Sequence, residues 1–116
     1  MEMTDYQNKI SEFYLFPRGG TTHMNYAMLN TVGEIGELNS LLAKFYRDHQ
    51  YNENAEAHYD AVVAPNIRKE LGDCLFMIHC LIDAFDLDAN TIAKEKIQKL
   101  TARKANNTIG GSGDDR

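Results

Sequence analysis

Apolar residues recur along this chain at intervals of three and four, and no stretch alternates apolar and polar positions as a half-buried strand would. Tyr6, Ile10, Phe13 and Tyr14 mark a first helix from about Asp5 to Phe16, ended by the "PRGG" of Pro17 to Gly20. Thr21, Thr22 and Asn25 are each suited to cap a second helix reaching about Arg47. The polar stretch "DHQYNENAEAHYD" reads as a loop with some helix of its own. Pro65 suits the first turn of a third helix, roughly Asn66 to Phe85. "DLDAN" makes a tight connection, with Asp88 the cap of a fourth helix that ends near Ala105. Four helices with mostly short connections predict an all-α fold, an antiparallel four-helix bundle. Residues 1–105 form its domain, and 106–116 ("NNTIGGSGDDR") are a Gly- and Asp-rich tail with no helical pattern.

The second helix breaks the usual rule of amphipathic design. With a turn of about 100° per residue, Leu38, Leu41 and Phe45 fall within about 40° of Glu34, so this acid stands in the middle of the apolar stripe. Glu37 lies at the stripe's edge. The third helix repeats the arrangement: "ELGD" sets Glu70 and Asp73 three residues apart, just before the apolar run "CLFMIHCLI". Two helices thus each aim an acidic i,i+3 pair at the interior. A carboxylate facing a core has to be protonated, paired or bound to a cation. The sequence offers no matching buried cation, and hard oxygen ligands without Cys or His favour Mg²⁺ or Mn²⁺ over zinc. Gly33 and Gly36 interrupt the same helix at a cost of about 1 kcal/mol each relative to alanine, and they lie away from the acids. They read as packing glycines, where a neighbouring helix comes close.

Charge and composition narrow the field. A formal net charge of −5 argues against a nucleic-acid polymer held by overall charge. No apolar run approaches the roughly 20 residues that span a bilayer, and "MEMTDYQNKI" lacks the order of a signal peptide. A cytoplasmic protein without a membrane partner is expected. Cys74 and Cys80 fall on different faces of one apolar helix and read as small buried hydrophobes in a reducing compartment. His23, His49, His58 and His79 are scattered, and His79 falls with Arg68 and Asp83 on a polar strip away from the acids. No Ser–His or Cys–His arrangement for a covalent intermediate is evident.

The two acidic pairs, "EIGE" (Glu34, Glu37) and "ELGD" (Glu70, Asp73), with their contexts "GEIGELNSLLAK" and "KELGDCLFMIHCLIDAFDLD", resemble the MazG-like all-α nucleoside triphosphate pyrophosphohydrolases, a family that includes all-α dUTPases. "IQKLTARKANNTIGGSGDDR" is similar to the end of phage and bacterial members. The resemblance implies Mg²⁺-dependent hydrolysis of a (deoxy)nucleoside triphosphate to the monophosphate and pyrophosphate by a metal-activated water. Glu34, Glu37, Glu70 and Asp73 would hold the metal, and Glu37, at the edge, is the expected proton acceptor. It also implies a dimer or dimer of dimers, with sites possible across subunits, and places Lys96 where many relatives have Asn.

Cations are still needed for the polyphosphate. Lys44 stands near Glu37 on the second helix, and Lys96, Lys99 and Arg103 share one flank of the fourth. Tyr26 and Asn30 lie on the acidic side of the second helix, suited to a base and to a sugar or phosphate. The tail could form a flap with Arg116 at a phosphate. Two other readings share these features: a helical interaction module whose acids meet a partner's basic residues, and a bundle that binds metal without turnover. The third helix is apolar on nearly every face, which also predicts a homo-oligomer.

Overall fold

The computed structural model describes residues 1–49 and 52–115. Among them the ordered elements are helical throughout, and none is long and apolar enough to cross a membrane. Helix α1 (Met3–Ile10) runs into a 3₁₀ turn at Ser11–Phe13. Helix α2 (Gly20–Asp48) is the longest element. A short α3 (Ala55–His58) leads through a π turn at Tyr59–Val63 into α4 (Ala64–Ala84), and α5 (Ala89–Ala105) follows a tight turn.

Helices α2 and α4 form the spine. His23 meets Cys80, Thr31 meets the Met77 carbonyl and Phe45 meets Tyr59, so numbers fall on α4 as they rise on α2: the pair is antiparallel. The buried cluster is small: Ile10, Ala27, Met77 and Cys80, flanked by Tyr6, Tyr14, Phe16, Phe76, Leu81 and Ala84. Helix α1 lies across one end, where Gln7 donates to the Leu87 carbonyl (2.8 Å) and accepts from the Ala89 N–H (3.0 Å). Helix α5 packs against α1.

Several boundaries differ from expectation. The first helix stops at Ile10, because Tyr14 turns to an extended conformation and the chain leaves the helix axis. The start of α2 uses none of Thr21, Thr22 or Asn25. Gly19 and Gly20 adopt left-handed backbone (φ 83° and 84°), a turn that side-chain-bearing residues rarely make. The Gly19 N–H donates to His23 Nδ1 at 2.9 Å in place of a capping hydroxyl. Pro65 sits in the first turn of α4 as expected, but helical chain already precedes it. Proline lacks an N–H and crowds the carbonyl four residues back, and the wide π turn immediately upstream is where the chain absorbs this. Asp88 caps α5 as expected, its Oδ2 accepting from the Thr91 N–H at 2.9 Å.

His79, expected on a polar strip with Arg68 and Asp83, is closed off from solvent. It is buried beneath α1, edge-on to Tyr6 at 4.8 Å, and donates from Nδ1 to the Leu75 carbonyl. Asp83, its expected neighbour, anchors the segment after α1 instead: Tyr14 Oη donates to it at 3.0 Å and Arg18 Nη2 at 2.8 Å. Burial works against this carboxylate's charge, but the hydrogen bonds from Arg18 and Tyr14 prevail and hold its pKa below the ordinary 3.8. His23 completes the anchor. It is fully buried, and because its Nδ1 accepts from Gly19, its single proton sits on Nε2 and goes to the Cys80 carbonyl at 2.9 Å.

The Asp83 anchor should be measurable. Asp83→Ala leaves the Tyr14 hydroxyl without its acceptor and should cost about 2 kcal/mol, with little added by the half-exposed Arg18. Asp83→Asn keeps one acceptor and should cost less. A lowered folded-state pKa means that the stability is present above the ordinary carboxylate value and lost as the pH falls below it. Urea titrations at pH 7 and pH 3 should therefore show a gap between wild type and Asp83→Ala that narrows in acid. Equal stability at pH 7 would remove the anchor from the account.

Candidate metal centre

The seam between α2 and α4 carries the acids. Its apolar residues hold the helices together, so an acid placed in the same stripe is drawn into the contact. Glu34, Glu70 and Asp73 each present a carboxylate oxygen within 4.8 Å of the others. Glu34 and Glu70 are half-buried and Asp73 is exposed. Glu34 Oε2 and Glu70 Oε2 are shielded from solvent and have no hydrogen-bond partner. Burial raises the pKa of Glu34 above the usual 4.5, and the charges of Glu37, Asp73 and Glu70 raise it further. Three carboxylates converging with two bare buried oxygens could serve as donors to a hard divalent cation.

Glu37 stands apart from this trio. It is exposed, and its charge is the nearest to Glu34 in effect, raising the Glu34 pKa next after burial. Asn30 faces the cluster: its amide nitrogen lies 3.5 Å from Glu34 Oε1, 3.3 Å from Tyr26 Oη and 3.3 Å from Met77 Sδ. Tyr26, Asn30, Glu34, Asp73, Phe76 and Met77 line one open cleft of about 270 Å³. Cys74 is buried close by, and its thiol is pushed up by burial and by the three acids.

The cations are elsewhere. Lys44 is exposed and does not line the cleft. Lys96 and Lys99 line a separate cleft on α5 with Ile92, Glu95 and Asp114, and Arg103 bonds to Asp114. Arg116 lies outside the described residues, as does Tyr51 at the start of the long connection.

Sequence reasoning missed an aromatic wall. Phe13, Tyr14, Leu15, Phe16, Thr22, Tyr26 and Phe76 line a cavity of about 340 Å³ that shares Tyr26 and Phe76 with the acidic cleft. The rings of Phe16 and Tyr26 lie 4.9 Å apart. The dense "FYLF" before "PRGG" was the available signal, but helical periodicity assigned it to a packing face.

The glycines of α2 also read differently. A side chain at Gly36 would meet nothing within 4 Å, and the same holds for Gly72 on α4. Among the described residues, no other helix of this chain approaches either.

Comparison with known proteins gives a family. The chain matches the family described as MazG nucleotide pyrophosphohydrolase domain over residues 22–108, which takes in both acidic pairs and all of α5. It is 28% identical over 120 residues to the Gene 37 protein of Mycobacterium phage L5, with both chains covered in full. No solved structure matches it. With most of its length inside the match, the chain belongs to the MazG nucleotide pyrophosphohydrolase family.

Proposed function

We propose that this protein hydrolyses a nucleoside or deoxynucleoside triphosphate to the monophosphate and pyrophosphate, with Mg²⁺ as its cofactor and Mn²⁺ as a substitute. The observation that carries the reading is the pair of buried, unpartnered oxygens on Glu34 and Glu70 beside Asp73. Glu34, Glu70 and Asp73 hold the cation, with Glu37 a fourth ligand from the exposed side. A bound divalent ion supplies neutralisation of the polyphosphate and acidification of a water. Glu37 takes the proton of the attacking water; its exposed position beside Glu34 leaves it room to do so. Asn30 orients a sugar or phosphate from the cleft wall, and Tyr26 with Phe76 offers apolar surface to the base.

The active form is a homo-oligomer, a dimer or dimer of dimers. Met28, Leu29, Val32 and Ile35 leave an apolar face of α2 in solvent, and Leu71, Leu75 and Ile78 do so on α4. The radius of gyration is 18.1 Å, against about 13 Å for a compact chain of this length. Gly36 and Gly72 are where the helices of a second copy come close, and pairing two α2/α4 spines makes the four-helix bundle that one chain does not close. Lys96, Lys99 and Arg103 then reach the triphosphate held by the partner's acids, and Lys44 adds a weaker, solvent-screened charge. Residues 1–105 act as the catalytic domain and 106–116 as an appended tail. The setting is cytoplasmic, where Cys74 and Cys80 stay reduced.

Product analysis on each common NTP and dNTP, with and without Mg²⁺, should show metal-dependent release of pyrophosphate rather than orthophosphate. Glu37→Gln should lower kcat by about 10²-fold or more, and Asp73→Asn should abolish the response to Mg²⁺. Intact triphosphates in a protein that Mg²⁺ still stabilises would leave a metal-binding module without turnover.

The apo protein should carry a pH signature of the acids. Because the folded-state pKa of Glu34 is raised, its contribution is most favourable in acid and is lost as the pH rises through that value. At neutral pH without metal, Glu34→Gln should therefore melt higher than wild type. Mg²⁺ at about 100 times its Kd should add about 2.7 kcal/mol to wild type and nothing to the variant. A lower melting point for metal-free Glu34→Gln would contradict the crowding of charge.

Light scattering should give a mass at least twice the 13.2 kDa of one chain. Val32→Arg, placed at a site 72% exposed in the single chain, should halve that mass and depress activity with it. A wild-type monomer with full activity would overturn the oligomeric reading.

A further inference from the structure

The tail does not trail away from α5; it returns along it. Asn107 takes a left-handed conformation (φ 55°), the Thr108 N–H reaches back to the Arg103 carbonyl at 2.8 Å, and the Asn107 N–H reaches Lys104 at 3.3 Å. This pair of bonds is the Schellman end of a helix, with Asn in the place glycine usually holds. A further turn, Gly111 N–H to the Thr108 carbonyl at 3.2 Å, and a left-handed Gly113 bring Asp114 onto the basic flank of α5. There Lys99 Nζ donates to Asp114 Oδ2 at 3.0 Å, and Arg103 Nη2 donates to Oδ1 at 3.3 Å and to the Asp114 carbonyl at 2.6 Å.

Arg103 makes this more than a surface ion pair. It is 4% exposed, unusual for a guanidinium, and its Nε–H is buried with no partner. Asp114 engages Nη2 and leaves that second donor unused. A tetrahedral oxyanion has enough oxygens to take Nε and Nη2 together and still accept from Lys99. The adjoining cleft, about 510 Å³ and lined by Ile92, Glu95, Lys96, Lys99 and Asp114, has space for it, with Glu95 the one opposing charge besides the tail's own.

We propose that residues 106–115 form an acidic strap whose Asp114 occupies a phosphate site built by Lys99 and Arg103, so that a polyphosphate and the strap exclude one another. The identification of Lys99 and Arg103 as phosphate ligands rests on the function proposed above; the exclusion itself does not require turnover. The carboxylate carries one charge and is 81% exposed, so its hold on Lys99 and Arg103 is weak and screened by salt. A di- or triphosphate brings several charges to the same donors and displaces it. The strap thereby raises the concentration at which phosphate ligands bind, and keeps a buried arginine from standing without an anion.

Calorimetry of inorganic pyrophosphate against the full chain, in chelator and at low salt, tests this apart from any catalysis. Asp114→Asn, a change on an exposed side chain, should tighten binding about three- to fivefold. Adding Lys99→Gln should remove the gain. Unchanged affinity in Asp114→Asn, a gain that survives Lys99→Gln in full, or no measurable binding to either protein would overturn the proposal. Turnover with Mg²⁺ then separates two sources of the same chemistry. A KM lowered to a similar degree identifies the triphosphate substrate as the strap's competitor, whereas an unchanged KM with stronger inhibition by added pyrophosphate identifies the released product. A protein that binds pyrophosphate as expected but hydrolyses nothing would sink the hydrolase reading and leave the strap standing.

Discussion

Mutual repulsion among Glu34, Glu70 and Asp73 on the α2/α4 seam is the constraint around which the other features arrange themselves, because no cation among the described residues lines their cleft. No lysine or arginine lines their cleft, and the Asn30 amide offers Glu34 only a long contact that it shares with Tyr26 and Met77. Helices that met only through apolar residues would be more stable without these acids. On the function proposed, a cation offsets this cost, and the open cleft beside the acids gives it a way in. The MazG family match places both acidic pairs within one domain, and the geometry explains why they need to converge.

A site that repels itself needs rigid support. It comes from the opposite end of the spine, where a neutral, doubly bonded His23 and the Asp83 anchor tie the turn before α2 to α4. That tie also fixes the aromatic segment Phe13–Phe16 against Tyr26 and Phe76, so the acidic cleft has a firm apolar flank. The anchor is built from hydrogen bonds across 57 to 69 residues of sequence, which is why a small buried cluster suffices to hold helices of this length.

The parts legible in the sequence were those governed by local periodicity. A 3.6-residue repeat places Glu34 among leucines whatever else the chain does, and Asp88 before "ANTI" is a cap by its own chemistry. What escaped was set by long-range partners. His79 looked like part of a polar strip because its neighbours on the helical wheel are polar, yet α1 covers it. Three hydroxyl or amide residues competed to cap α2, and a backbone N–H bonded to a histidine ring took the role, a device without a sequence signature. Pro65 marks the first turn of α4 as its chemistry suggests, but the π turn that carries helical chain up to it has no local signal. Phe16 and Phe76, sixty residues apart, share a wall that no wheel displays. Gly36 reads as a close-contact position, and among the described residues no neighbouring helix touches it.

That last mismatch bears on how the molecule works. A glycine in an exposed helix interior costs about 1 kcal/mol relative to alanine, so Gly36 in the middle of an apolar, unpartnered face is an unoffset loss in the isolated chain. The cations show the same incompleteness from the other side: Lys99 and Arg103 hold an anion on α5 while the acids that would hold a metal stand unpaired on α2 and α4. On the function proposed, one chain carries two halves of a polyphosphate site, each with a temporary arrangement, a raised carboxyl pKa at Glu34 and an internal carboxylate at Arg103. A second copy packed on the bare faces of α2 and α4 would offset the glycine cost and bring the halves together through one set of contacts. Assembly and substrate binding would then be linked by the same charges, since the triphosphate that draws metal to the acids is also the anion that releases the strap.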